Sequence, residues 1–327
     1  MTNQSTFPLR QDINICFAHV AYPMDQVFLK RNEDLKFFQV RNSEQMNDSI
    51  KDANILVVSG LWSDHLLDSV PGLRFIQSIG AGFDQFPLDK LRERGIRLAS
   101  ASGVNRNAVS EHAFALILSL SRHIHTGRDN QNAHFWRGMI SDINTREDEL
   151  SGKTLGIIGL GSIGSRVAKL AKAFDMQVLA TNRDTSTGTE LADEVYSPDS
   201  LPTLLERSDF VVLNCPLTED TREIINEKTL SIMKPSSYLI NVARGACVNE
   251  NALIHALNNG EISGAGLDHF WDDPLPDNSP FWGMENVIIT PHTAGETRLY
   301  EENVIDILLE NIDRLCSGEG ILVNQVV

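Results

Sequence analysis

The chain has 327 residues, 42% apolar and 22% charged, with 28 Lys and Arg against 44 Asp and Glu. The net charge of −16 argues against nucleic acid or an anionic membrane surface as a partner, and no apolar run approaches the ~20 residues of a membrane span. The length suits two domains; the start "MTNQSTFPLR" lacks the pattern of a signal peptide, and four scattered cysteines (Cys16, Cys215, Cys247, Cys316) without a CxxC pair suit reduced thiols, so a cytoplasmic protein is expected.

The first hundred residues carry five short apolar runs: "INICFA" (13–18), "LKFFQV" (35–40), "NILVVS" (54–59), "RFIQS" (74–78) and "IRLAS" (96–100). They read as strands of a smaller α/β unit. The stretch 107–127 then predicts one helix, with Val109, Ala113, Leu116, Ile117, Leu120 and Ile124 as its apolar stripe. Asn107 is expected as its cap and Glu111 in its first turn. A polar stretch, 141–153, follows.

Six further runs predict strands: "LGIIG" (155–159), "QVLAT" (177–181), "FVVLN" (210–214), "YLINV" (238–242), "GAGLD" (264–268) and "VIITP" (287–291). Each is apolar on both faces, as buried parallel strands are. Helical patterns lie between them, such as 165–174 with Val167, Leu170, Ala171 and Phe174 on one face. The alternation predicts a doubly wound sheet of βαβ units. A last helix, 296–315, has the option of returning to the N-terminal unit. The fold class is α/β: two Rossmann-like or flavodoxin-like domains with doubly wound parallel sheets.

Gly159, Gly161 and Gly164 form G-x-G-x-x-G between the first of these strands and the helix after it, the context that gives the pattern meaning. Gly159 allows the turn, Gly161 lets the backbone approach a pyrophosphate, and Gly164 lets helix and strand pack. The helix start offers N–H groups to phosphates. Ligands of such sheets bind beyond the carboxyl ends of strands, which draws attention to three side chains. Arg244, after "LINVA", has the fork that grips a carboxylate. His292, after "VIITP", suits proton transfer. Asp273, in "HFWDDPLP", is a candidate partner to an imidazole.

These residues sit in five motifs: "GKTLGIIGLGSIG" (152–164), "CPLTEDTREIIN" (215–226), "MKPSSYLINVARGACVNENAL" (233–253), "GAGLDHFWDDPLP" (264–276) and "NVIITPHTAG" (286–295). In order and spacing they resemble the D-isomer-specific 2-hydroxyacid dehydrogenases over nearly the whole chain. The resemblance implies a dinucleotide domain, 104–294, inserted in a substrate domain made of 1–103 plus 295–327. It implies Arg244 as the carboxylate anchor, His292 as general acid/base and Asp273 as its partner, where the family generally has Glu. Ser162, Ile163, Cys215, Pro216, Thr221, Val242 and Asp268 are implied along the cofactor, with Asp268 near the nicotinamide. The backbone of Gly80, Ala81 and Gly82 is implied to bind the substrate carboxylate, the 2-oxo acid lying between the domains. A homodimer is implied, and no metal.

Phosphoglycerate-specific relatives place basic residues where this chain has "SGLWSDHLL" (59–67). Trp62 and Asp64 there favour an unphosphorylated 2-oxo acid such as glyoxylate, hydroxypyruvate or a bulkier one. A phosphoglycerate dehydrogenase-type enzyme and a dinucleotide-sensing, corepressor-like binding protein are the alternatives. At the tip of the second strand of the larger unit, "TNRD" (181–184) puts neutral Asn182 where NAD users have a ribose-binding carboxylate. Arg183 follows with a fork suited to a 2′-phosphate. NADP(H) is therefore expected over NAD(H), with Asp184 as the residue capable of reversing that choice by pairing with Arg183 or reaching the ribose.

Overall fold

Strands that are apolar on both faces need cover on both sides, and this chain supplies it with two parallel sheets flanked by helices. The computed structural model describes residues 7–31 and 34–327; residues 1–6, part of the segment read for a targeting signal, lie outside them. One compact unit joins the segment up to Asn105 to Thr297–Val327, and the other is Arg106–Glu296.

The smaller unit holds β1 (Asn14–Ala18), β2 (Lys36–Val40), β3 (Ile55–Val58), β4 (Phe75–Ser78) and β5 (Arg97–Ala99), all parallel, in the order β2-β1-β3-β4-β5. That is the flavodoxin-like order. The helix Tyr300–Ser317 covers one face, burying Val304, Ile305, Leu308 and Ile312 against Ile15, Phe17, Ile55, Val57 and Phe75. Asn311 lies fully buried on that helix. Its amide donates to Gln77 Oε1 and the Val323 carbonyl, both at 3.2 Å, and its oxygen accepts the Val323 N–H at 2.7 Å. The C-terminal helix, the sheet and the tail are thus tied at one side chain.

The larger unit holds β6 (Thr154–Ile158), β7 (Gln177–Thr181), β8 (Glu194–Tyr196), β9 (Phe210–Leu213), β10 (Tyr238–Asn241), β11 (Gly264–Leu267) and β12 (Val287–Ile289). The order is β12-β11-β10-β9-β6-β7-β8, again all parallel. From β6 the chain winds to one side through β7 and β8, then returns to β9 on the other. The carboxyl ends of β6 and β9 therefore flank the switch point at which such sheets bind dinucleotides.

Several sequence expectations change. The sheet has seven strands rather than six, because β8 has only three residues, none fully buried, at the sheet edge. The helix expected over 107–127 is two, Arg106–Ser121 and Ile124–Asn132, broken at His123, which takes a left-handed φ of 49°. There the His125 ring bonds the Ser119 carbonyl at 2.9 Å, capping a helix end from outside. Ile124 falls beyond the break and is 57% exposed, whereas Val109, Ala113, Leu116, Ile117 and Leu120 are buried as predicted. The helix starts at Arg106, so Asn107 is inside the first turn, its carbonyl accepting the Ser110 hydroxyl, and Glu111 lies past that turn. Phe174 follows the end of helix Ser162–Ala173 and stacks on Phe114 at 5.4 Å, rather than facing the sheet. Among the described residues no helix is long and apolar enough to cross a membrane.

Replacing Asn311 by Ala leaves the buried Gln77 oxygen and the part-buried Val323 N–H without their partner. The expected loss is about 2–3 kcal/mol of stability, read by denaturant titration; an unchanged midpoint contradicts this account.

Candidate active site

The glycine turn is built by crowding at two positions and by space at a third. Gly159 has φ 97°, and a Cβ there would come within 2.9 Å of the Cys215 nitrogen. A Cβ on Gly164 would meet the Gly159 oxygen at 2.2 Å. A Cβ on Gly161 would meet nothing within 4 Å. Gly159 and Gly164 thus hold strand and helix together, while Gly161 leaves backbone open to an incoming group. The helix Ser162–Ala173 has no side-chain cap, so the N–H groups of its first turn face outward from Gly161. Asn214, at the end of β9 beside Gly159, is the one amide among the described residues with both polar atoms buried and no partner. Open backbone, uncapped N–H groups and an orphaned amide at a switch point fit a dinucleotide. Cys215 and Val242 are buried, and the hydrogen bond with neighbouring Cys247, then burial, pushes the Cys215 thiol up. Thr221 is committed internally: its hydroxyl donates to the Pro216 carbonyl at 2.6 Å and accepts the Thr218 N–H at 2.7 Å.

Around β11 the constraint is a buried charge. Asp268 follows that strand and is fully buried. An unpaired carboxylate costs several kcal/mol in such a place. Here the Thr290 hydroxyl (2.6 Å) and the Thr293 N–H (3.0 Å) donate to Oδ1, and the Ala294 N–H (3.0 Å) donates to Oδ2. His112, on helix Arg106–Ser121, has Nε2 2.9 Å from the Thr290 oxygen. Thr290 has one proton and gives it to Asp268, so His112 is the donor in that contact and carries its proton on Nε2.

His292 lies inside the loop that Asp268 ties down. Its N–H donates to the Asp268 and Thr290 carbonyls, each at 3.0 Å, and its φ is 55°. Its Nδ1 is 2.6 Å from Asp273 Oδ2. The shorter Asp therefore reaches the ring, and Nε2 remains for a substrate. Arg244 follows β10 on a turn set by buried Asn241, whose side chain donates to the Arg244 carbonyl (2.9 Å) and accepts the Ala243 N–H (3.0 Å). Gly245 is required next, since a Cβ there would come within 2.0 Å of the Phe270 oxygen. The guanidinium is exposed and bonds only its neighbour, the Ala243 carbonyl, at 2.7 Å. No carboxylate pairs with it among the described residues, which leaves its fork open to an anion.

His112, Thr290, Asn241 and His269 are contributors that sequence reasoning did not single out. His269 is 9% exposed and packs its ring 4.0 Å from that of His292. Burial above all, and then the positive fields of His292 and Arg244, push its pKa down to about 3, so it stays a neutral ring.

At the tip of β7, Asn182 donates to Thr187 Oγ1 (2.6 Å) and accepts the Arg183 N–H (2.9 Å). Asp184 is taken up by Ser186, accepting its N–H at 3.0 Å and its hydroxyl at 2.6 Å, and these bonds hold its carboxyl below the usual range. Arg183 is exposed, with no ion pair among the described residues. In the smaller unit the carbonyls of Gly80 and Gly82 turn to the Ser78 hydroxyl, at 3.0 and 3.3 Å. Trp62 is half-buried, its ring 5.0 Å from that of Phe86. Asp64 is not the bare repulsive charge the sequence suggested: Lys90 Nζ lies 3.0 Å from its carboxylate.

Known proteins resemble this chain in sequence and in fold. The family model for "D-isomer specific 2-hydroxyacid dehydrogenase, NAD binding domain" matches residues 114–294. A glyoxylate reductase of Pyrococcus furiosus is 35% identical over 87% of this chain and 86% of its own. An NADPH-dependent glyoxylate/hydroxypyruvate reductase of Sinorhizobium meliloti, solved with NADP and malonate, superposes with a TM-score of 0.80 at 26% identity, covering 97% of each chain. A D-lactate dehydrogenase of Aquifex aeolicus, solved with NAD and lactic acid, gives 0.76 at 31% identity, covering 94% of this chain and 96% of that one. With a buried Asp268 bracing His292, an open Arg244 fork and a glycine turn at the switch point, the chain belongs to the D-isomer-specific 2-hydroxyacid dehydrogenases, oxidoreductases that move a hydride between a nicotinamide cofactor and a 2-oxo or 2-hydroxy acid.

Proposed function

We propose that this enzyme reduces a small unphosphorylated 2-oxo acid of the glyoxylate and hydroxypyruvate kind with NADPH, as a cytoplasmic homodimer. The observation that carries the chemistry is the 2.6 Å bond from His292 to Asp273, in the same unit as an Arg244 fork that no carboxylate occupies among the described residues. Arg244 takes the substrate carboxylate with two N–H bonds. His292 gives the proton at Nε2 to the carbonyl oxygen, while Asp273 fixes the tautomer and stabilises the imidazolium. The nicotinamide, when bound, supplies the hydride. Gly159, Gly161, Ser162, Ile163 and Gly164 would hold its pyrophosphate, Asn182 and Arg183 its adenosine end, and Asp268 its nicotinamide side.

The substrate reading rests on relatives named for glyoxylate and hydroxypyruvate reduction, and on Trp62 near the position where a phosphate would need cations. The NADPH reading rests on neutral Asn182, unpaired Arg183 and the capture of Asp184 by Ser186, which keeps that carboxylate away from Arg183. The homodimer rests on a run of exposed apolar side chains: Phe135 (61%), Trp136 (96%), Met139 (99%) and Ile143 (74%). Contiguous exposure of this kind marks a protein interface. The four unpaired cysteines suit a reducing compartment.

Initial rates over glyoxylate, hydroxypyruvate, pyruvate, phenylpyruvate and phosphohydroxypyruvate test the class. The first two are expected to lead, with His292→Ala losing about 10²-fold or more in turnover; a clear preference for phosphohydroxypyruvate, or near-normal turnover in the variant, overturns the reading. For the cofactor, kcat/KM is expected to be higher with NADPH, and Arg183→Ala to abolish the difference; equal loss with NADH excludes a phosphate contact. Sedimentation is expected to show a dimer that becomes a monomer on replacing Trp136 and Met139 by Glu, and a wild-type monomer at micromolar concentration rejects the assembly.

A further inference from the structure

A single hydrogen bond between two exposed side chains does little to hold either one still. The His292 and Asp273 side chains are 51% and 59% exposed, and pairs of this sort contribute little by themselves. The bond also fixes only one edge of the imidazole, leaving the plane of the ring free to turn about it. Proton transfer needs the donor aligned as well as near.

His269 supplies what the bond lacks. Its ring centroid is 4.0 Å from that of His292, with 55° between the planes. The ring is itself packed in, only 9% exposed, on a backbone fixed at both sides. It follows Asp268, which is fully buried, and precedes Phe270, whose carbonyl sits so close to the Gly245 backbone that a Cβ would come within 2.0 Å of it. The charged groups around it are Asp268, with Oδ2 3.8 Å from His269 Nε2, and Arg244 and His292. Because burial keeps the ring uncharged, it neither repels an imidazolium at His292 nor draws Asp273 away from it.

We infer that His269 is a positioning residue for His292, a neutral aromatic wall that sets the plane of the catalytic ring while Asp273 sets its edge. The inference rests on His292 being the proton donor, and the test separates the two ideas.

The experiment is a double-mutant cycle in the full-length enzyme, with folding checked by thermal melting. His269→Ala is expected to lower kcat about tenfold or more with KM within about twofold. His269→Phe, which keeps a ring and loses the nitrogens, is expected to stay within about threefold of wild type. In the His292→Ala background, His269→Ala is expected to change kcat by less than about twofold, because the ring it aligned is gone. An equal cost of His269→Ala in both backgrounds overturns the inference, as does a Phe variant as slow as the Ala variant. Should His269→Ala not fold, the Phe variant decides: a tenfold loss of kcat rejects the wall. Near-normal turnover of His292→Ala instead removes the proton-donor assignment, and this inference with it.

Discussion

A carboxylate placed where no water reaches must find donors inside the protein, and Asp268 organises the active site by that requirement. Its three donors are the Thr290 hydroxyl and the N–H groups of Thr293 and Ala294. They bracket His292, so satisfying the charge fixes the loop that displays the imidazole. The left-handed backbone of His292 is a consequence: the two carbonyls that hold its N–H come from Asp268 itself and from Thr290. Thr290 in turn is oriented by His112. The helix Arg106–Ser121, whose apolar stripe reads as simple core packing, also takes part in the polar arrangement behind the reacting face.

The same economy appears on the cofactor side. Crowding at Gly159 and Gly164 and open space at Gly161 belong to one turn, and each glycine answers a different steric demand. The turn works because strand order reverses there, leaving the ends of β6 and β9 side by side. Gly245 plays a comparable part for substrate, letting the Arg244 turn lie against the Phe270 backbone.

Much of this was legible in the residue string. Strands buried on both faces announce themselves as continuous apolar runs, so eleven of the twelve strands were expected within a residue or two. Glu194–Tyr196 escaped because an edge strand of three half-buried residues has no such signature. The break at His123 escaped because it comes from a side chain two positions on, bonding back to Ser119, and not from Gly or Pro. Arg244, Asp273 and His292 stood out by their places at strand ends and in motifs. His112 and His269 did not, since nine histidines look alike until the fold shows which ring faces which. Likewise the pairing of Asp64 with Lys90, 26 positions on, and the capture of Asp184 by Ser186 are facts of folded geometry that charge counting does not reach.

The small unit also has a history imposed by its connectivity. Its core brings together Ile13, Phe17 and Phe75 from one end of the chain and Val304, Leu308 and Ile312 from the other. Between them lie the 191 residues (296 − 105) of the larger unit. At ribosomal speeds of about 5–20 residues per second, the early strands wait roughly 10–40 s for the helix that covers them. During that interval the β1–β5 segments carry an uncovered apolar face, while the inserted unit, whose strands are all contiguous in sequence, is free to close first. Production of this enzyme therefore depends on how well its first hundred residues are shielded until the last thirty emerge.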